Sequence, residues 1–278
     1  MESLFQQQQR TESLAYFILV FCATVVYYTM AYLKTDQSAN NQNQRAHWYV
    51  RNNTFIRITQ FILLSIALYL LLVFASEHLT QLLHLHTQEY LLLLIFPMVS
   101  LAYYGLPFPA LARYNLRNLG WLKPLVIAFT WSGMVIVYPV FYQHILQLQH
   151  YQPDAFTAYL FLKNFMFITL LCIMFDIKDY AMDYNRQLKT WVVRLGLRKT
   201  IFYVLIPLSI VGLASYLGYA VLNHFSAWRM LFNTIPFVAA ILVAYSLHHR
   251  RSIFYYLFII DGLMILKAVC GILGMLIH

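Results

Sequence analysis

The stretch AFTAYLFLKNFMFITLLCIMFDIKDYAMD, residues 155–183, decides the fold. From Ala155 to Phe175 its only charge is Lys163. An apolar run of that length matches the ~20 residues that a helix needs to cross a bilayer core. Charge then returns abruptly with Asp176, Lys178, Asp179 and Asp183. The rest of the chain has the same character. Of its 278 residues 61% are hydrophobic and 10% charged, where soluble domains carry about a quarter charged residues.

Eight apolar runs read as spans: 14–33, 54–75, 90–106, 122–146, 155–176, 200–222, 229–247 and 253–277. Lipid offers no partner to backbone N–H and C=O groups, so these runs are expected as helices. The strand alternation of an outer-membrane barrel is absent. The predicted class is therefore an all-α integral membrane protein, a bundle of about eight transmembrane helices. Residues 1–13, with their QQQQ run, read as a polar, disordered tail, and 14–278 as one transmembrane domain. Pro97 and Pro139 lie inside spans and predict kinks or irregular turns. Cys22, Cys172 and Cys270 all fall in apolar runs, so neither a disulfide framework nor a zinc site is indicated.

The formal net charge of +9 raises the question of nucleic acid. Its distribution answers otherwise. Alternate loops hold Lys34, Arg45 and Arg51; Arg113 and Arg117; Lys178, Arg186, Lys189, Arg194, Arg198 and Lys199; and Arg250 and Arg251. The opposite side, both tails included, holds only Arg10 and Arg229. Short basic loops remain cytoplasmic. The expected arrangement has both termini outside and Asp176, Asp179 and Asp183 inside, in a bacterial inner membrane, with no nucleic-acid partner.

Offsets of three and seven return to nearly the same helix face, so the three aspartates form an acidic stripe. They stand at the C-terminal end of a helix, where the macrodipole is already negative. Two kinds of compensation are open. Lys178, Arg186 and Lys189 can make a structural ion cluster. Alternatively, Mg²⁺ can bind the carboxylates and share its other positions with phosphate oxygens. The six basic residues of 176–199 suit a diphosphate-bearing ligand.

DIKDYAMD followed by LKTWVVRLG resembles the second aspartate-rich motif of the UbiA superfamily of intramembrane prenyltransferases. Asp176, Asp179, Asp183, Lys189, Thr190, Arg194, Leu195 and Gly196 match it. YGLPF, from Tyr104, is similar to the start of that family's second cytoplasmic loop. The resemblance implies a UbiA-like helical bundle whose aspartates hold Mg²⁺. It implies transfer of a prenyl group from a prenyl diphosphate to an aromatic or lipid acceptor. Asp176, Asp179 and Asp183 would be the catalytic metal ligands. Lys178, Arg186, Lys189, Arg113 and Arg117 would bind the diphosphate. It also implies that the family's first helix has no counterpart here, Leu14–Leu33 corresponding to the second.

Two departures stand out. The family's first motif falls on Tyr28, Thr29, Tyr32 and Asp36, where only Asp36 remains as a metal ligand. The loop pattern Tyr-x-x-x-Lys is missing, since Phe108 follows Tyr104 by four. A non-catalytic relative that binds lipid or a partner therefore stays open. So does a transporter, because Asp261 and Lys163 lie inside spans. For Asp261 an ion pair with the nearby Lys267 or Lys163 and a substrate contact are equally open. His84 and His86 form HLH in an outside loop, which without a third ligand is only weak evidence for a metal site.

Overall fold

The structure, a computed structural model, describes residues 2–33, 48, 51–104, 116, 119–147, 150–152 and 154–276, with the side chains of 2–13, 30–33 and 104 excepted. The described residues form helices and no strands. In chain order these are α1 (Glu2–Leu33), α2 (Asn53–Glu77), α3 (Leu79–Leu83), α4 (Thr87–Tyr104), α5 (Lys123–Leu146), α6 (Ala155–Lys178), α7 (Tyr180–Asn185), α8 (Trp191–Leu195), α9 (Leu197–Leu222), α10 (Ala227–Ser246) and α11 (Ile253–Leu276).

Six of them, α2, α5, α6, α9, α10 and α11, are long and apolar enough to cross a membrane. The chain is thus all-α and fits an integral membrane protein. The other two expected spans are shorter apolar stretches, Leu14–Thr29 of α1 and Thr87–Tyr103 of α4. The first apolar stretch starts at Leu14 as expected, but the residues before it, read as disordered, are already helical from Glu2. Glu, Gln, Arg and Leu are good helix formers. Adding turns to an existing helix also avoids the cost of a new nucleus.

The chain divides into two compact units, 1–90 with 139–151 and 91–138 with 152–278. In the first, α1 packs on α2. Gln60 Nε2 donates to Val26 O at 3.3 Å, and Tyr142 stacks on Phe74 with ring centroids 5.1 Å apart. In the second, α6 packs against the start of α5 and against α9, while α10 packs against α9 and α11. Its core includes Phe167, Leu170, Met174, Leu205, Tyr216, Phe237 and Ile260. Ala220, Ala240 and Ala244 are fully buried; small residues let membrane helices approach closely. Apolar side chains such as Phe61, Leu72, Tyr203 and Phe258 face outward, as lipid contact requires.

Prolines shape the spans. Three wide, π-helical turns interrupt them at Gly133–Val137, Ile201–Leu205 and Tyr256–Ile260. Pro139 and Pro207 each follow such a turn by two residues, and neither can donate to the carbonyl four residues back, at Val135 and Tyr203. The wide turn re-routes the ladder where that donor is lost. The third wide turn has no proline behind it. Pro97 in α4 frees the carbonyl of Leu93, and Tyr138 Oη donates to that oxygen at 2.5 Å. Tyr138→Phe removes this donor and is expected to cost about 1 kcal/mol, read as a lowered unfolding temperature in detergent.

Two lysines lie within the second unit's helices. Lys163 Nζ donates to Asn233 Oδ1 at 3.2 Å and stands 4.2 Å from the Tyr216 ring centroid. Lys267 Nζ donates to Asn164 Oδ1 at 2.5 Å and lies 4.3 Å from the Phe167 ring centroid. The ion-pair reading of Asp261 with these lysines is a correction. Asp261 is exposed and feels the charge of Lys178 instead.

Candidate acidic site at the end of α6

The acidic stripe does not run along one helix. α6 ends at Lys178, and Asp179 (φ −90°, ψ 4°) joins it to α7. The turn is shallow, because Asp179 N still donates to Phe175 O at 3.4 Å and Asp183 N to Asp179 O at 2.9 Å. α7 closes with a Schellman motif. Gln187 takes φ 56°, its N–H donates to Tyr184 O at 3.1 Å, and Leu188 N donates to Asp183 O at 2.9 Å.

The matched residues that follow have local structural duties. Thr190 is buried and caps α8, its side chain accepting from Val193 N at 3.4 Å. Gly196 takes φ 81° between α8 and α9, a conformation that glycine adopts without penalty. Trp191 Nε1 donates to Trp121 O at 2.8 Å. A Cβ on Gly120 would stand 2.7 Å from Thr190 N and 2.8 Å from the Lys189 carbonyl carbon. The 119–122 turn thereby rests directly on the backbone of the motif and sets the position of Lys123.

Lys123 is the partner that the sequence did not reveal. Its Nζ lies 2.6 Å from Asp176 Oδ1; the aspartate side chain is fully buried and the lysine 21% exposed. Asp179 and Asp183 also act on Lys123 and Asp176 electrostatically, so the three carboxylates and this ammonium form one cluster. Asp183 is buried. Asp179 is half-buried and pairs with Lys178 at 3.1 Å. Arg186 and Lys189 are exposed. Asp36, Arg113 and Arg117 lie outside the described residues. The buried Tyr256 ring lies within electrostatic reach of Asp179.

The charge balance of this cluster is uneven. Three carboxylates at a negative helix end face the ammoniums of Lys123 and Lys178. Asp176 Oδ2 is buried and has no hydrogen-bond partner. An ionised carboxylate oxygen without water or donor is costly. A hard divalent cation is the kind of group that such an oxygen accepts, so the donor set fits Mg²⁺. The signal that could have found Lys123 is its position as the first residue of a span, directly after a Gly120-containing turn. Nothing in the sequence links it to Asp176.

These features define a membrane-type all-helical chain with a buried acid–base cluster at a helix end. No protein family, curated protein or solved structure matches the chain.

Proposed function

We propose that the chain is a UbiA-like intramembrane prenyltransferase that uses Mg²⁺ to bind a prenyl diphosphate and transfers the prenyl group to an aromatic or lipid acceptor. The observation that carries this reading is the bare, buried Oδ2 of Asp176 within a cluster that also contains Asp179 and Asp183. These three aspartates would hold the ion. Mg²⁺, when bound, polarises the diphosphate and helps it leave. Lys178, paired with Asp179, and the exposed Arg186 and Lys189, which follow Asp183 in the chain, would neutralise phosphate oxygens. The excess of basic loops supports a cytoplasmic position for this end, in a bacterial inner membrane.

A second reading rests on Lys123. Its 2.6 Å contact already satisfies Asp176 Oδ1, so the cluster can serve as a structural ion pair in a lipid- or partner-binding protein without turnover. Purified protein incubated with prenyl diphosphates and a membrane lipid extract separates the two. The enzyme releases pyrophosphate only with Mg²⁺; the binding protein releases none. Asp179→Asn and Asp183→Asn are expected to weaken Mg²⁺-dependent binding of a non-hydrolysable prenyl diphosphate analogue roughly tenfold or more, while both variants remain folded. Calorimetry is expected to give one Mg²⁺ per diphosphate, since Tyr28, Thr29 and Tyr32 replace the harder ligands of the family's first motif. Unchanged Mg²⁺-dependent affinity in folded variants removes the metal role.

A further inference from the structure

We propose that His86, Glu89 and His150 form a binding site for a divalent first-row transition ion of the Zn²⁺ type. The three residues belong to the first compact unit, and the site is separate in chemistry from the acidic cluster. His86 Nδ1 and His150 Nδ1 lie 2.9 Å apart. Glu89 Oε2 is 3.5 Å from the first and 3.4 Å from the second. Ligand atoms about 2.0–2.1 Å from one tetrahedral Zn²⁺ stand roughly 3.3 Å from each other. One ion therefore fits the triangle with shifts of a few tenths of an ångström.

Local structure holds the triangle in place. His86 immediately precedes α4 and Glu89 stands three residues on. Glu89 Oε2 accepts from His86 N at 2.6 Å, the reciprocal half of a capping box. Glu89 Oε1 accepts from Tyr151 N at 2.7 Å, which brings the neighbouring His150 to the same point. Tyr151 is held in turn by Phe141 and His144, with ring centroids 5.8 and 5.5 Å away. The two backbone amides thus orient the carboxylate before any ion arrives. Such bonds from outside the coordination sphere commonly fix metal ligands.

The donor set defines the ion. Two imidazoles and one carboxylate suit Zn²⁺, Co²⁺, Ni²⁺ or Cu²⁺, whereas Mg²⁺ prefers oxygen alone. Three protein ligands leave a fourth position open. The imidazoles are 65% and 60% exposed, and the glutamate side chain only 4%. The ion would exchange with solvent and take a water or an external ligand. A direct bond between the two imidazoles is the competing arrangement, and it needs no metal.

The test uses full-length protein in detergent, free of any affinity tag, titrated with Co²⁺ and then Zn²⁺. Wild type is expected to develop a saturable visible Co²⁺ absorption that Zn²⁺ abolishes and Mg²⁺ does not. His86→Ala and His150→Ala are each expected to lower affinity roughly tenfold or more. His84→Ala, just before the site in the chain, is expected to titrate like wild type. Glu89→Gln disturbs the amides that Glu89 anchors, so the histidine variants are the decisive ones, with folding checked by metal-free thermal unfolding. No Co²⁺ signal in wild type, or wild-type titration by both folded histidine variants, overturns the site.

Discussion

Lys123→Met is expected to lower stability by about 3 kcal/mol, because it strands the Asp176 carboxylate without its counter-charge. The aspartate side chain is fully buried and Lys123 only 21% exposed. Their 2.6 Å contact is therefore mostly shielded from water. The figure sits at the low end for broken buried pairs since some solvent reaches the lysine. Removing both charges is a different experiment. Lys123→Met with Asp176→Leu eliminates the ion pair, and such replacements are commonly neutral or stabilising. Recovery in the double variant, read by thermal unfolding in detergent, assigns the loss to the stranded charge. Mg²⁺ adds a second arm. If the aspartates hold the ion, adding it to Lys123→Met raises the unfolding temperature, because any ligand of the folded state stabilises it by mass action. Loss without Mg²⁺ rescue favours the purely structural cluster.

Gly133→Ala is expected to cost about 2 kcal/mol through overpacking. A Cβ at Gly133 would stand 2.0–2.4 Å from three atoms of the Phe96 ring. That ring is 3% exposed. Phe129 and Tyr138 surround it, with centroids at 5.0 and 5.3 Å. Phe161 stands farther off at 6.3 Å. The ring has nowhere to rotate, so the backbone of α4 or α5 must give way. Adding Phe96→Leu, which shortens the obstructing side chain, is expected to recover much of the loss. Failure to recover in thermal unfolding would place the cost in the wide turn's backbone rather than in the clash.

Most of the helical frame was legible in the sequence. Uninterrupted apolar runs are a signal carried by composition alone, and six of them became helices long enough to cross a bilayer. Pro139 marked irregular backbone correctly, since a wide turn ends two residues before it, whereas α4 runs as α-helix through Pro97, and the hydroxyl of Tyr138 that answers Pro97 is a tertiary contact with no local pattern. The spacing of Asp176, Asp179 and Asp183 predicted a shared face, and the aspartates do act on one another. The break at Asp179 was invisible because the hydrogen-bond register nearly survives it. Lys123 lies 53 residues from Asp176, beyond any periodicity argument. The outward turn of Asp261 has a comparable origin. The wide turn Tyr256–Ile260 inserts a residue just before it, and one extra residue rotates a helical face by about 100°. The histidine–glutamate triangle was missed because Glu89, three residues from His86, gives only one local partner, and His150 lies 64 residues away.

The two lysines set a timing problem for synthesis. α6 brings Lys163 and Asn164 into the membrane early. Their partners Asn233 and Lys267 follow 70 and 103 residues later in the chain. At roughly 5–20 residues per second, the ribosome needs about 5–20 s to deliver the second of them. For that interval α6 holds an ammonium and an amide that lack their final partners. The final state of α6 is therefore reached only after α10 and α11 have been made, and insertion of α6 is expected to be completed together with theirs.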